Sequence, residues 1–538
     1  MKKVASLIII IMILLASGCS NGAKSTVETI DILESNLFYQ NKTESFGADP
    51  FILVDEEDGQ KIFYLYSTSR ELGAKGFEIL FSNDLSNWHN GGPIFMCDGT
   101  WCSKNLWAPE VIEDNGIYYL FYSAQNKTDN EGFYISVATS KSPAGPFNEY
   151  VSESKAISEP LISFEKHNNQ IPAELRSNLT GIDGKVGYIK VIDASPFVDP
   201  VSGKKYLYFI ADLNTEYTYE SFVLGMEMED WTTPKYETLT RITEFGKAVP
   251  GGDEIVLEGG RTNEGCTVTY HDGIYYLTFS TFTYMTAEYQ VRQALADSPL
   301  GPFRKIQNND GGTVIFTEAS TIRQSAGHSS IFELDGELYM VYHTFFNDAT
   351  IDAGRKPAVD KIAFVKNYEG LTVMQTNGPT TTPQPLPAAI SSYRNVALEA
   401  KVNCDNGAGK LDASLVNDGF IPLHRQSPVS EYIINPGQTT ITFDFNKETE
   451  IAAVLVYTSI KDAMRLRSVE SIVFENGEES ETIRNVELDD EKYMQYKKIA
   501  YDQACSAVLK EPLKAKKITI TINEDYTVGI PEIIILGR

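Results

Sequence analysis

The sequence predicts an all-β chain, a five-bladed β-propeller followed by a jelly-roll-like β-sandwich. Three observations lead there. A strand, a turn ending in Gly and a second strand recur five times at intervals of tens of residues. Two of these units close on nearly the same words, "YISVATSKSPAGPF" and "YQVRQALADSPLGPF". Near residue 376 the composition shifts to "TNGPTTTPQPLPAA", and short alternating strands then resume to the C-terminus.

Residues 1–19, "MKKVASLIIIIMILLASGC", place two lysines before one apolar run, the pattern of an export signal and short for a membrane span. Small residues lead to Cys19, and the stretch resembles a bacterial lipobox, with Ala16 standing where Leu is usual. The resemblance implies lipidation at Cys19 and an exported protein held at the bacterial cell envelope, at the cell surface or in the periplasm. Residues 20–44 then read as a tether.

Residues 45–380 hold the five units. They open "DPFILVDEEDGQKIFYLYS" from Asp49, "WAPEVIEDNGIYYLFYS" from Trp107, "DASPFVDPVSGKKYLYFI" from Asp193, "EGCTVTYHDGIYYLTFS" from Glu264 and "GHSSIFELDGELYMVYH" from Gly327. Further strands follow each hairpin, which makes each unit a blade. A β-sandwich of unrelated hairpins would not repeat opening, turn and closing phrases. The stretch from about Val151 to Lys190 is a long insertion between blades two and three, either walling a pocket or decorating the rim.

In a propeller the first strand of each blade lines the central channel. Counted back from the turn glycines, Asp49 and Asp193 lie 10 residues before, Trp107 and Glu264 lie 9, and His328 lies 8. Equal offsets imply equal depth, so one Trp, three carboxylates and one His converge at one mouth. Carboxylates with aromatic walls suit glycoside hydrolysis, in which an acid protonates the leaving oxygen and a carboxylate activates water. A third acid beside them raises the acid's pKa through like-charge repulsion.

These motifs resemble glycoside hydrolase family 43 along the whole propeller. The resemblance implies that Asp49 of "ADPFIL" is the general base, Asp193 of "DASPFVDP" tunes the acid, and Glu264 of "EGCTVTY" is the general acid. The family usually has Pro after Glu-Gly, where this chain has Cys266; Glu258 in "LEGG" is the competing acid. Trp107 of "NLWAPEV" would line the sugar pocket. Arg355 of "GRKPAVDKIAF" would contact the sugar, with a surface role the alternative. His328 of "AGHSS" would help hold a hydrated calcium or sodium ion on the axis, or serve as a buried, hydrogen-bonded His. The implied activity is inverting removal of α-L-arabinofuranosyl or β-D-xylosyl units from oligosaccharides or polysaccharides, with galactan or arabinan hydrolysis as the alternative within the family.

Residues 381–394 read as an extended linker or a chain hugging the propeller. Residues 395–538 resemble a discoidin-like (coagulation factor type C) domain in their opening, their Asp418–Gly419 turn and their closing strand "GIPEIIILGR". Such a domain either binds sugar or braces the catalytic domain. Cys97 and Cys102 are near enough to pair, Cys404 and Cys505 are a second candidate pair, and Cys266 is left over.

Lys and Arg total 46 against 73 Asp and Glu, a formal charge of −27. Such a surface repels nucleic-acid phosphates and anionic membranes, leaving a lipid anchor as the membrane contact. Two rival functions remain. A retaining fructan hydrolase would carry Trp-x-Asn-Asp-Pro in the first blade and Glu-Cys at the acid, where this chain has "FGADPF" and Glu264-Gly265-Cys266. A non-catalytic sugar-binding propeller would be free to lose a carboxylate, and none is lost.

Overall fold

A computed structural model describes residues 25–538 apart from 43–45, 70–74, 98–100, 127–131, 152–157, 168, 174, 176–187, 215–218, 244–261, 318–322, 347–353, 410, 429–430 and 490–500. Cys19, the export signal and Glu258 lie outside the described residues. No described helix is long and apolar enough to cross a membrane.

Each repeated phrase becomes the first hairpin of an antiparallel sheet. The first strands are Ala48–Glu57, Cys102–Asp114, Tyr188–Val198, Asn263–His271 and Arg323–Leu334, each paired to the strand that follows. Asp58–Gly59, Asn115–Gly116, Asp272–Gly273 and Asp335–Gly336 have positive φ at both residues, the type I′ geometry that matches strand twist. Third strands and short outer strands complete sheets of four or five strands. The first strands touch in the order one to five, and the fifth touches the first. That closed ring is a five-bladed propeller.

Apolar faces pack between blades. One core joins blades two and three and takes in Leu161, Ile162, Phe164, Ile171 and Leu175 of the insertion. The described part of the insertion thus fills a seam between these two blades.

The C-terminal region is built on two 21-residue strands, Gly437–Tyr457 and Ala504–Glu524, paired along their length. Their pairing shifts register between Asp444 and Thr449. On one side of the shift Lys401–Cys404 and Ser468–Asn476 flank them; on the other Ile533–Gly537 does. Ile441 and Phe443 from one half share a core with Val454 and Val456 from the other. The strands therefore bend across a corner, and two layers enclose one core.

Residues expected as tether and linker are built into the fold. Thr29–Ile30 pairs with Val508–Leu509 of the C-terminal region, and Phe38–Tyr39 pairs with Gln384–Pro385. Tyr39 donates its hydroxyl to the Val359 carbonyl of blade five (3.0 Å). The Asp502 carboxylate accepts both the Thr381 and Thr382 N–H groups at 2.7 Å. Leu386 packs in one core with Phe63 and Leu65 of blade one and Tyr339 and Val341 of blade five.

Cys97 and Cys102 form a disulfide, whereas Cys404 and Cys505 are not bonded to each other. Cys404 faces Ile441 and Cys505 faces Val456, far apart along one strand, so the second pairing is geometrically excluded. Cys266 is a buried free thiol.

Candidate active site

Every first strand carries the same irregularity. Register against the second strand breaks between Ala48 and Phe51, Trp107 and Glu110, Ile192 and Ser195, Glu264 and Thr267, and Gly327 and Ser330. The first bulged residue is left-handed each time: Asp49 (φ 51°), Ala108 (46°), Asp193 (56°), Gly265 (57°) and His328 (47°). Four of these are not glycine, a strained choice that recurs where bulges re-aim side chains at functional sites. Asp49, Asp193 and His328 are thus equivalent positions. Trp107 and Glu264 lie one residue earlier, level with Ala48 and Gly327. The expectation of equal depth for all five is corrected: two adjacent tiers supply the site, because blades differ in the length of chain between bulge and turn.

What satisfies the bulged N–H explains the sequence around it. The Ala108 N–H donates to Thr68 Oγ1 (2.9 Å), the Asp193 N–H to Ser123 Oγ (3.0 Å), the His328 N–H to Ser280 Oγ (2.7 Å) and the Asp49 N–H to His343 Nδ1 (3.1 Å). Each acceptor sits on the second strand of the preceding blade, opposite the residue before its bulge. In blade three that place belongs to Ile210, which accepts nothing. The Gly265 N–H instead donates to Asp193 Oδ2 (3.1 Å). The missing hydroxyl thereby fixes the Asp193 carboxylate. A Cβ on Gly265 would come within 2.8 Å of the His328 ring, so the glycine is needed for space as well as for φ.

Asp49 is held by charge. Its Oδ1 accepts from Arg355 Nη1 (2.8 Å) and stands 3.2 Å from His328 Nδ1, while Oδ2 accepts the Thr68 hydroxyl (2.6 Å). Burial opposes ionisation, yet Arg355, His328 and the Thr68 hydroxyl together hold its carboxyl well below the usual range. His343 Nδ1 accepts the Asp49 N–H, so that nitrogen carries no proton, and burial holds the ring neutral.

The other acids lean the opposite way. Burial and then Asp193 push Glu264 up to about 7, against His328 and the hydroxyl of Tyr289. Burial and then Asp49 push Asp193 upward, against the Gly265 N–H. Asp193 and Glu264 form a coupled pair, and the direction for both is upward, since two buried like charges resist double ionisation. The site therefore holds one firmly ionised carboxylate facing a pair of acids that resists losing both its protons near neutrality.

Trp107 stacks on Phe133 with ring centres 4.3 Å apart, and Lys190 Nζ lies 5.4 Å from the Trp107 ring. Arg355 stacks over Tyr284 (4.3 Å), which pins its guanidinium while Asp49 takes one N–H. The alternative of a free surface arginine is excluded.

Three residues were not foreseen. Glu110 follows the bulge in blade two; burial pushes it up to about 8, against a hydrogen bond with Ser195. Its place directly after "WAP" was the available signal. His343 ends "MVYH", opposite Gly327. Tyr289 donates its hydroxyl to Glu264 Oε1 (2.7 Å) from a loop whose spacing follows no repeat.

Comparison with known proteins agrees with this geometry. Residues 40–162 and 181–368, together more than half of the chain, match glycosyl hydrolases family 43. Over 319 residues the chain is 23% identical to the probable arabinan endo-1,5-alpha-L-arabinosidase B of Aspergillus fumigatus, spanning 52% of this chain and 74% of that protein. Over 305 residues it is 25% identical to xylosidase/arabinosidase 43A of Humicola insolens, spanning 51% and 77%. The solved structure of a thermostable family-43 glycoside hydrolase aligns with a TM-score of 0.51 at 27% identity, over 65% of this chain and 99% of its own. With its repeats, its closed ring of blades and its split pair of carboxylate states, the chain belongs to glycoside hydrolase family 43.

Proposed function

We propose that the chain is an inverting glycosidase that removes α-L-arabinofuranosyl or β-D-xylosyl units from oligosaccharides or polysaccharides. The observation that carries the reading is the opposite bias of Asp49 and Glu264, one ionised and one protonated near neutral pH. That is what a single displacement needs. Glu264 gives its proton to the leaving oxygen as the glycosidic bond breaks. Asp49 takes a proton from the water that attacks the anomeric carbon on the opposite face. Asp193 resists ionising together with Glu264, so the pair keeps a proton available to the acid. Trp107 supplies a flat apolar wall on which a sugar ring stacks. Arg355, already anchored, offers its remaining N–H groups to sugar hydroxyls. The choice between arabinofuranosyl and xylosyl draws on the names of the two relatives, and arabinan or galactan cleavage is the second reading.

A hydrated calcium or sodium ion beside His328 belongs to the same proposal. Its electrostatic motive is smaller than the sequence suggests, because Arg355 neutralises Asp49, and Asp193 and Glu264 resist ionising together. His328 Nδ1 faces Asp49 at 3.2 Å, so a hard cation there would be held mostly through water. Export and lipid anchoring through Cys19 are proposed on the N-terminal sequence alone. The C-terminal region is proposed as a discoidin-like brace, supported by its buried contacts to residues 381–382.

A panel of aryl arabinofuranosides, xylosides and galactosides tests the assignment. Glu264→Ala should lose most activity on poor leaving groups and keep more on activated aryl glycosides, which need little protonation. Asp49→Ala should fail on both. Equal loss across leaving groups in Glu264→Ala overturns the acid, and absence of hydrolysis by the native protein across the panel favours the non-catalytic sugar-binding alternative.

A further inference from the structure

We propose that Tyr289 is a positioning residue that keeps the proton of Glu264 on Oε2, the oxygen that must face the leaving group; this rests on Glu264 being the acid. The Tyr289 hydroxyl lies 2.7 Å from Glu264 Oε1 and donates to it. A carboxyl oxygen that accepts that O–H is the poorer seat for its own proton, so the acidic hydrogen occupies the other oxygen. Free rotation of the carboxyl would otherwise place the proton on the wrong side half of the time.

The ring is fixed independently of its hydroxyl. Tyr289 is fully buried and stacks on His343, with ring centres 5.7 Å apart and planes 12° from parallel. A Cβ on Gly327 would lie 2.1 Å from its Cε1, so the glycine of the fifth bulge makes room for it. His343 in turn accepts the Asp49 N–H. Tyr284, three residues into the same loop from Thr281, stacks under the Arg355 that holds Asp49. One loop between the second and third strands of blade four thus supports both the acid and the base.

In the reaction the proton leaves Oε2 for the glycosidic oxygen as the bond to the anomeric carbon breaks. Glu264 becomes a carboxylate, and the O–H···Oε1 bond changes from neutral to charge-assisted, which strengthens it. The interaction is therefore stronger in the transition state than in the ground state and lowers the barrier for protonation. The gain is largest where protonation is most advanced, on substrates with basic leaving groups.

The test is Tyr289→Phe, which keeps the ring and its stacking and removes one oxygen. Across aryl glycosides of graded leaving-group pKa, kcat should fall about tenfold or more at the basic end and stay near wild type at the acidic end, with KM unchanged. A thermal melt like that of the wild type accompanies this result. A loss equal across all leaving groups, or no loss at the basic end, overturns the proposal. Tyr289→Leu, which abolishes ring and hydroxyl together, should add a uniform loss to the same slope; a uniform loss with no slope overturns it too. Glu264→Gln is assayed in parallel. If that variant is itself flat across leaving groups, the acid assignment fails, and the role of Tyr289 falls with it.

Discussion

Replacing Asp193 with Asn should move the alkaline limb of the pH profile to lower pH. The native acid is displaced from its ordinary value of 4.5 to about 7, with burial the larger cause and Asp193 the next. That displacement corresponds to roughly 3 kcal/mol against ionisation. Activity requires the protonated acid, so kcat/KM should be flat below the limb and fall about tenfold per pH unit above it. No acid limb should enter the ordinary assay range, because Arg355 and its neighbours hold Asp49 ionised there. The substituted amide cannot carry the like charge, while Glu264 stays equally buried. The limb should therefore fall by on the order of one pH unit without reaching an exposed carboxyl's value. The assay is kcat/KM against pH on a substrate with a poor leaving group, in wild type and Asp193→Asn. A limb that stays put, or rises, refutes tuning by charge and leaves Asp193 as a structural anchor for the Gly265 N–H.

Gly265→Ala should reduce activity more than stability, since the new Cβ meets the His328 ring at 2.8 Å and shifts the amide that holds Asp193; kcat equal to wild type would contradict this. Glu110→Gln should raise the melting temperature more at pH 8 than at pH 5. The folded pKa of Glu110, about 8, lies above its unfolded value, so the native protein loses stability as pH rises between the two, and the amide does not; an equal gain at both pH values would refute it. Exhaustive chelation should lower activity or melting temperature, with calcium restoring it and His328→Ala abolishing the response. Unchanged activity and melting after chelation removes the ion from the account.

The blades were legible because hairpin turn chemistry and strand patterning are local. Asp-Gly or Asn-Gly turns in four blades, Ser202-Gly203 in the third, and their flanking apolar runs mark the hairpin five times over. Asp49, Asp193, Glu264, Trp107, Arg355 and His328 were legible through the same repeat, and the structure gathers the carboxylates, Arg355 and His328 around one channel mouth. The bulge was not legible, since a two-residue irregularity changes depth without changing composition; counting from the turn glycines therefore merged two tiers. Tyr289 and His343 were hidden for another reason. Each acts through one long-range contact, to Glu264 and to the Asp49 backbone, and no spacing along the chain encodes such a contact. The pairing of Cys404 with Cys505 failed similarly, because closeness within a segment is not closeness along a 21-residue strand.

The stereochemistry of the first product tests the central claim most directly. Proton NMR is followed from the moment the enzyme meets an α-L-arabinofuranoside or β-D-xyloside, before the free sugar equilibrates between anomers. One displacement by water, with Asp49 as base and Glu264 as acid, predicts that the first sugar released has inverted anomeric configuration. A first product with retained configuration would require a covalent glycosyl-enzyme intermediate and would contradict the account.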